Sequence, residues 1–160
     1  MNTGNPAKLR VVLDTNVYFS AFTHAGLSFS IWQQAVSRRF TLLISPPIFR
    51  EIGEVLRREA RWQEGEVISQ LKLLVRVGEI FSPTFTLTAV REDEDDNRIL
   101  ECAVAGQADL VVSSDRHLRR LKMFRGIAIV HPIDFARTLG RSGQKNHKAG
   151  YQLTSQGLRP

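Results

Sequence analysis

Short apolar runs that alternate with helical patterns constrain the fold of this chain more than any other feature. The clearest run covers residues 108–113, where Leu110, Val111 and Val112 follow one another without a polar break, as in a strand buried on both faces. Similar runs cover residues 9–13, 41–45 and 126–130. Because helical segments separate the runs, the strands are expected to be parallel and joined by crossover helices. The sequence therefore predicts an α/β fold, a three-layer α/β/α sandwich with a central parallel sheet.

The segments between the runs carry helix signals. Ser45 followed by Pro46 and Pro47 favours a helix start, because serine is a common N-cap and proline fits the first turn. In residues 64–77, five apolar residues recur at helical spacing and are expected to form one buried stripe: Val67, Ile68, Leu71, Leu74 and Val75. Further helices are predicted from about residue 17 and over residues 27–38, 95–105, 116–121 and 132–139.

The length and the charge distribution predict one domain with a basic extension. The chain has 160 residues and a net charge of +6, and residues 140–160 contain four basic residues and no acid. This leaves 18 of the 22 basic residues and all 16 acidic ones in residues 1–139, a net charge of +2. We predict a leader at 1–8, a globular domain at 9–139 and a flexible tail at 140–160 that either contacts phosphates or has no partner. Without a signal peptide or a long apolar segment, the protein is expected to be cytoplasmic.

Four acidic residues are expected at one edge of the sheet. Asp14 follows the first strand and Asp115 follows the run at 108–113, so both lie at carboxyl ends of strands, where open α/β sheets bind their ligands. Glu51 lies about one turn into the helix after the second strand, and Asp96 lies in the first turn of a later helix. A helix begins where the preceding strand ends, so both helix starts are expected at the same edge.

Carboxylates gathered in this way require a cation. Two unit charges about 6 Å apart repel by roughly 2.5–3 kcal/mol at an effective dielectric constant of about 20. Carboxylate oxygens suit Mg²⁺ and Mn²⁺, and the four histidines lack the spacing of a zinc site. One or two such ions, held by carboxylates, activate water for phosphodiester cleavage. Metal-assisted hydrolysis is therefore the predicted chemistry, with four residues as metal ligands and catalytic groups: Asp14, Glu51, Asp96 and Asp115.

Each acid also has a purely structural interpretation. Asp14 and Asp115 can cap the helices that follow them. Glu51 can pair with a neighbouring arginine on an exposed helix face. Asp96 belongs to an acidic run that the helix dipole favours in a first turn. Taken separately, these interpretations do not explain why all four acids fall at one edge.

Four motifs, in their order and spacing, resemble the PIN domain family, and within it the VapC-like toxins of toxin–antitoxin systems. They are VVLDTNV at 11–17, SPPIFRE at 45–51, DEDDNRILE at 93–101 and ADLVVSSD at 108–115. The resemblance covers about residues 9–135 and implies a PIN-like fold with Mg²⁺- or Mn²⁺-dependent endoribonuclease activity on single-stranded or structured RNA. It also implies a cognate antitoxin protein as a partner, and association with a second copy of the chain in a homodimer.

The resemblance implies roles for single residues as well. The four acids named above correspond to the acids of the family's metal site. Asn16 corresponds to a polar residue that supports the first aspartate, and Ser113 to a Ser or Thr that hydrogen-bonds near the metal. Asp93 and Asp95 are neighbours that could exchange roles with Asp96, whose register matches the family helix. Asp109 begins its strand, so it is expected at the opposite edge.

Arginines are the candidates for RNA contact, although such clusters are more often exposed helix faces. They are Arg38, Arg39, Arg116, Arg119 and Arg120. Two other classes of α/β protein with strand-end acids are disfavoured. A receiver domain needs a second acid beside Asp14, and a haloacid-dehalogenase-like phosphatase needs an aspartate where Asn16 stands. The main alternative is a non-catalytic PIN-fold module that binds RNA or protein.

Overall fold

A six-stranded sheet forms the centre of the molecule in a computed structural model that describes residues 7–147, with the backbone alone for 141–147. From one edge to the other, the strands are β3 (Glu79–Ile80), β2 (Thr41–Ile44), β1 (Arg10–Leu13), β4 (Leu110–Val112), β6 (Ile127–Val130) and β5 (Met123–Phe124). All neighbouring strands are parallel except β5 and β6. The strand order places β1 and β4 side by side at the centre.

Seven helices in the described residues flank the sheet. They are α1 (Thr15–Thr23), α2 (Leu27–Val36), α3 (Pro46–Arg58), α4 (Glu64–Val77), α5 (Glu94–Ala105), α6 (Arg116–Arg120) and α7 (Pro132–His147). Helix α1 packs against α2 and α3, whereas α5 packs directly on β1, β2 and β4. Because parallel crossovers are right-handed, connections that run in opposite directions along the sheet put their helices on opposite faces. The predicted α/β fold with a helix layer on each side is therefore confirmed.

The two central strands are buried on both faces. Val11 and Val12 of β1 and Val111 and Val112 of β4 have no exposed surface. Such continuous apolar strands need a helix layer on each side to exclude water, which explains why the apolar runs could be recognised in the sequence. The parallel register pairs Leu13 with Val112, so the residues that follow these two strands emerge side by side.

Helix α4 has the predicted bounds, but its buried stripe is narrower than the sequence indicated. Val67 and Leu74 are fully buried, whereas Ile68 and Val75 are 43% and 45% exposed. The prediction was wrong for these two residues because α4 packs on α3 rather than on the sheet, so a narrower contact face is covered. A helix against another helix buries a seam, and a helix against a sheet buries a wider face.

A short hairpin at the edge of the sheet was missed by the sequence analysis. Strand β5 pairs antiparallel with β6, and the two are joined by Arg125 and Gly126. Both residues have positive φ, 48° and 79°, as a two-residue hairpin turn of type I′ requires. Only Gly126 carries the usual sequence signal for this turn. The sheet is therefore mixed at this edge, and the all-parallel prediction is corrected there.

The last helix extends beyond its predicted end at residue 139. Phe135 and Leu139 are buried one turn apart, and α7 continues to His147 without a proline to stop it. Once a helix has nucleated, each further residue adds a backbone hydrogen bond at little cost. Residues 140–147 of the predicted tail are therefore helical, while residues 148–160, like the leader residues 1–6, lie outside the described part of the chain. None of the described helices is both long and apolar enough to cross a membrane.

Candidate metal centre

Two of the predicted acids emerge side by side where the central strands end. The backbone N–H of Asp14 donates to the carbonyl of Val112 at 2.9 Å, which continues the pairing of β1 with β4. Asp14 is 6% exposed, and Ser113, the residue that follows β4, is fully buried. The parallel pairing thus holds the side chains of Asp14 and Ser113 next to each other.

Ser113 connects Asp14 to Asp115 by two hydrogen bonds. Its hydroxyl donates to Oδ2 of Asp14 at 2.6 Å and accepts from the backbone N–H of Asp115 at 2.9 Å. Oδ1 of Asp115 accepts from the backbone N–H groups of His117 and Leu118, at 2.7 and 3.2 Å. Asp115 therefore does cap the helix α6, as the structural interpretation expected, but with one oxygen only. Its other oxygen is left for a different partner.

Asp96 lies against Asp115. It occupies the first turn of α5, is 5% exposed, and its Oδ2 has no hydrogen-bond partner among the described residues. Of its acidic neighbours, Asp93 caps the helix by accepting from the N–H of Asp95 at 2.9 Å, and Asp95 is exposed. The structure therefore brings Asp96, rather than Asp93 or Asp95, to Asp115.

Glu51 joins the cluster from another side. Its Oε2 accepts a 2.8 Å hydrogen bond from the hydroxyl of Thr15, the buried first residue of α1. The alternative surface pairing with Arg50 or Arg58 is not among the ion pairs of the described residues, and Arg58 instead binds Glu59. Since Thr15 directly follows Asp14, the hydroxyl places Glu51 beside that aspartate. All four predicted acids thus lie at the carboxyl edge of the sheet.

The local electrostatics show how unfavourable this gathering is for negative charge. The pKa of Asp96 is raised to about 8, chiefly by burial and in smaller part by the charges of Asp115 and Asp14. Burial also raises the pKa of Asp14 to about 6, against the opposing effect of the hydrogen bond from Ser113. The pKa of Glu51 rises to about 7, chiefly through burial and then through the charges of Asp95 and Asp14. The folded protein therefore holds carboxyl groups that are poorly compensated at neutral pH.

A divalent cation fits this arrangement. Asp96, Asp115 and His117 each offer a ligand atom, and the three atoms lie within 4.8 Å of one another. The buried Oδ2 of Asp96 has no donor within the part of the chain that the structure describes, and a cation would supply the missing partner. Carboxylate oxygens of this kind are the ligands that Mg²⁺ and Mn²⁺ prefer. The chemistry of the donor set therefore suits these ions.

Two residues of this site were not assigned by the sequence analysis. The hydroxyl of Thr15 holds Glu51, and the imidazole of His117 stands beside Asp96 and Asp115. A sequence signal existed for His117 alone, because it lies two residues after Asp115 in the same turn. Nothing local in the sequence pairs Thr15 with a residue 36 positions away.

The structure places the side chain of Asn16 at the surface and gives Asp14 a different hydrogen-bond donor. Asn16 is exposed in the first turn of α1, whereas the side chain of Asp14 accepts a hydrogen bond from the Ser113 hydroxyl. The sequence placed a polar side chain near Asp14, but the direction of the helix turns Asn16 outward. Unlike Asn16, Ser113 contacts a predicted metal ligand, because its hydroxyl donates to Asp14.

Some candidate RNA-contacting arginines lie at the carboxyl ends of the strands, and others lie at the amino ends. Arg116, Arg119 and Arg120 lie on α6, directly after Asp115, and Arg120 pairs with Glu92 at 3.7 Å. Arg38 and Arg39 precede β2 and so lie at the opposite edge. The guanidinium of Arg38 donates to the backbone carbonyl of Arg76 at 2.9 Å. Arg38 and Arg39 are thus a strand length away from the acids, which weakens their expected role.

Comparisons with known proteins find a matching family profile and a relative of similar sequence. Residues 10–117 match the family profile of the PIN domain, and they include all four acids. The chain is 28% identical over 120 residues to the uncharacterized protein MJ1680 of Methanocaldococcus jannaschii. The aligned region covers 72% of this chain and 76% of that protein.

Solved structures show the same fold. VapBC2 from Rickettsia felis, bound to a DNA fragment from its promoter, superposes with a TM-score of 0.56 and 16% identity, over 77% of this chain and 98% of that one. PAE2754 from Pyrobaculum aerophilum superposes with a TM-score of 0.55 and 20% identity, over 88% of this chain and 94% of that one. At these identities the likeness concerns the fold alone. Since the family profile matches more than half of the sequence, the chain belongs to the PIN domain family.

Proposed function

We propose that this chain is a cytoplasmic, metal-dependent endoribonuclease that hydrolyses RNA phosphodiesters with Mg²⁺ or Mn²⁺. The observation that carries the proposal is the buried carboxyl group of Asp96, which lies against Asp115 while its Oδ2 has no donor among the described residues. A buried, unpaired carboxylate is costly, and the repulsion of a second carboxylate beside it adds to that cost. A bound divalent cation removes both costs at once.

The proposal gives each acid a separate task. Asp96 and Asp115 would hold the cation, with Asp14 beside them in the position set by Ser113. A divalent ion, when bound, lowers the pKa of water and neutralises the charge that develops on the phosphate. Because Oδ1 of Asp115 is committed to the α6 backbone, Oδ2 is the oxygen that this residue offers to the site.

Glu51 is suited to moving a proton. Thr15 binds its Oε2, so a proton would be taken up or released at Oε1. Its pKa of about 7 in the metal-free site lets the carboxyl group exchange a proton near neutral pH. A cation nearby would lower that pKa and favour the form that accepts a proton from the attacking water. Glu51 is therefore proposed as a general base, or as a ligand if a second ion binds.

The arginines of α6 are proposed to hold the substrate. Arg116 and Arg119 are exposed in α6, the helix that Asp115 caps. Their guanidinium groups would contact the phosphates that flank the cleaved bond. Such contacts position the backbone and carry little sequence preference. The choice of RNA would then depend on other parts of the surface or on RNA structure.

The cleavage experiment compares two aspartates at opposite ends of the sheet. Wild type, Asp14→Asn and Asp109→Asn are incubated with RNA in Mg²⁺, in Mn²⁺ and in EDTA. Asp109 accepts a hydrogen bond from the N–H of Arg10 at 2.8 Å and lies away from the acids, so its variant controls for the substitution itself. We expect metal-dependent cleavage that falls at least about 100-fold in Asp14→Asn and stays near wild type in Asp109→Asn.

Two results would decide against this mechanism. Cleavage that persists in EDTA would remove the metal from it. RNA retention without cleavage under every metal condition would instead assign the chain to the alternative class, the non-catalytic PIN-fold module. A filter-binding measurement on the same three proteins separates retention from cleavage.

We further propose that the chain is the toxin of a toxin–antitoxin pair, in line with its structural similarity to VapBC2. Expression of the chain alone should then arrest growth, and Asp14→Asn should abolish the arrest. Co-expression of the product of a neighbouring open reading frame should relieve it. Size-exclusion chromatography of the co-expressed proteins tests for a complex, and of the chain alone for a homodimer.

A further inference from the structure

A histidine stands among the acids of the proposed metal site. His117 lies in the first turn of α6, two residues after Asp115. One nitrogen of its imidazole lies within 4.8 Å of a carboxylate oxygen of Asp96 and of Asp115. The other two histidines whose side chains the structure describes, His24 and His131, are not part of this group.

The backbone fixes the position of His117. Its N–H donates to Oδ1 of Asp115 at 2.7 Å, and the following residue, Leu118, donates to the same oxygen and is fully buried. These two hydrogen bonds and the burial of Leu118 hold the first turn of α6 in place. His117 is half-buried, in contrast to its exposed neighbours Arg116 and Arg119. The imidazole is therefore partly shielded from solvent, with one nitrogen near both acids.

The separations suit a shared cation better than a direct ion pair. Among the ion pairs formed by the described residues, none joins His117 to Asp96 or Asp115. Three atoms within 4.8 Å of one another lie at most about 2.8 Å from a common point, whereas ligand atoms lie about 2.1–2.2 Å from a bound ion. A movement of up to roughly 0.6 Å by each atom would therefore bring all three onto one cation.

An independent observation indicates a missing partner at the same place. Asp96 is 5% exposed, and its Oδ2 has no hydrogen-bond donor in the described part of the chain. If His117 served only to neutralise Asp96, its ring N–H would be expected to bind this oxygen. Since it does not, both side chains are open to a third group.

We propose that His117 supplies an imidazole ligand to the divalent cation held by Asp96 and Asp115, so that the site contains nitrogen as well as carboxylate oxygen. This inference rests on the proposed metal-dependent function and specifies its metal. Imidazole nitrogen binds transition ions more readily than it binds Mg²⁺, and affinities at mixed nitrogen and oxygen sites rise from Mn²⁺ towards the later ions. The site therefore favours Mn²⁺ over Mg²⁺.

The direct test observes the nitrogen itself. The full chain is loaded with Mn²⁺, and electron spin-echo envelope modulation detects ¹⁴N nuclei coupled to the ion. We expect ¹⁴N modulation in wild type, its loss in His117→Gln, and its retention in His24→Gln. His24 is exposed at the far end of α1, so its variant carries the same substitution away from the site.

A competition measurement tests the consequence for metal choice. The affinity for Mn²⁺, followed by the signal of the free ion, should fall at least about tenfold in His117→Gln, while the affinity for Mg²⁺ falls less. Circular dichroism and thermal unfolding confirm that both variants fold. An equal loss for the two ions would overturn the proposed preference.

The outcomes separate this inference from the function on which it rests. Mn²⁺ bound to wild type without ¹⁴N modulation would overturn the ligand role of His117 and leave a carboxylate-only nuclease site intact. Failure of wild type to bind either ion would overturn both proposals. Both of these outcomes are measured on the wild-type protein, so neither depends on the folding of a variant.

Discussion

Ser113 donates a 2.6 Å hydrogen bond to Asp14 across two neighbouring strands, although the two residues are 99 positions apart in the sequence. Ser113 has no exposed surface, and the same hydroxyl accepts from the N–H of Asp115 at 2.9 Å. One side chain thus orients one acid of the site and fixes the backbone of another. Groups of this kind commonly affect metal affinity as strongly as some of the ligands do.

Replacing Ser113 with alanine should weaken the site without dismantling it. In Ser113→Ala, Asp14 loses a donor that lowers its pKa, so its charged form becomes less favourable. We expect the affinity for Mn²⁺ or Mg²⁺ and the rate of RNA cleavage to fall by about 10- to 100-fold. Isothermal titration with metal and a cleavage assay measure the two effects.

The adjacent residue provides the control for that substitution. Ser114 is exposed and follows Ser113 directly, so Ser114→Ala removes the same hydroxyl from the same segment. Near-wild-type metal affinity is expected for it. If both variants lost affinity equally, the effect would lie in the backbone of the segment rather than in the hydrogen bond to Asp14.

Thr15 should affect proton transfer more than metal binding. In Thr15→Val, the γ-methyl group of the buried side chain is retained and a second methyl group replaces the hydroxyl that binds Glu51. Because this hydrogen bond lowers the pKa of Glu51, its removal should raise the pKa and shift the acidic limb of the pH–rate profile to higher pH. We expect the rate near neutral pH to fall roughly tenfold.

A second threonine of the same helix separates local from general effects. Thr23 lies at the other end of α1, where its hydroxyl donates to the carbonyl of Phe19 at 2.6 Å. Thr23→Val should leave the pH–rate profile in place. A profile that moved with Thr23→Val as much as with Thr15→Val would show that α1 as a whole, and not the contact with Glu51, sets the profile.

The sheet could be predicted from the sequence because its central strands are buried on both faces. Continuous apolar runs such as 108–113 are hard to interpret in another way once helical patterns separate them. The hairpin of β5 and β6 could not, since a turn through Arg125 and Gly126 lacks the usual Asn-Gly or Asp-Gly pair. The exposure of Ile68 could not be predicted either, because the sequence does not reveal whether a helix packs on a sheet or on another helix.

The site could be predicted as far as topology reaches. Strand ends locate Asp14 and Asp115, and the helix start after a strand locates Glu51. The choice of Asp96 within its acidic run depends on which residue of the turn is buried, and the resemblance to a family supplied the register. Side-chain contacts such as that of Thr15 with Glu51 join residues far apart in the sequence, and no local pattern encodes them.

Substitutions at two glycines should change the stability of the fold without changing the metal affinity of the site. A Cβ on Gly106, after α5, would lie 2.9 Å from Cδ1 of Leu43 and 3.2 Å from the carbonyl of Cys102. Gly106→Ala should lower the free energy of unfolding by about 1–3 kcal/mol through this overpacking. Gly65, in the first turn of α4, has open space around it, so Gly65→Ala should raise the free energy of unfolding by about 0.4–1 kcal/mol.

Urea unfolding measures both changes, and metal titration of the folded variants completes the comparison. Neither glycine touches the acids, so neither substitution should alter metal affinity. Unchanged stability in Gly106→Ala would mean that Leu43 yields to the added methyl group more easily than a central core residue should.

The raised pKa values predict how the stability of the metal-free protein depends on pH. In the folded chain Asp14 titrates at about 6, Glu51 at about 7 and Asp96 at about 8, whereas the ordinary values are 3.8, 4.5 and 3.8. Between these limits the folded state binds more protons than the unfolded state, so the free energy of unfolding falls as pH rises. The stabilising effect of protonation is fully present below about pH 4 and is lost as pH rises through about 6 to 8.

Thermal unfolding in EDTA at pH 5 and pH 8 tests this dependence. The Tm should be lower at pH 8 by at least roughly 3 °C, the shift that about 1 kcal/mol produces in a chain of this size. Divalent metal should raise the Tm more at pH 8, because it binds the charged carboxylates. Asp96→Asn, which stays neutral at every pH, should make the difference between pH 5 and pH 8 smaller. A Tm that stays constant or rises from pH 5 to pH 8 in EDTA would mean that the carboxyl groups are already compensated in the metal-free fold, and the electrostatic argument for a cation at this edge of the sheet would then be lost.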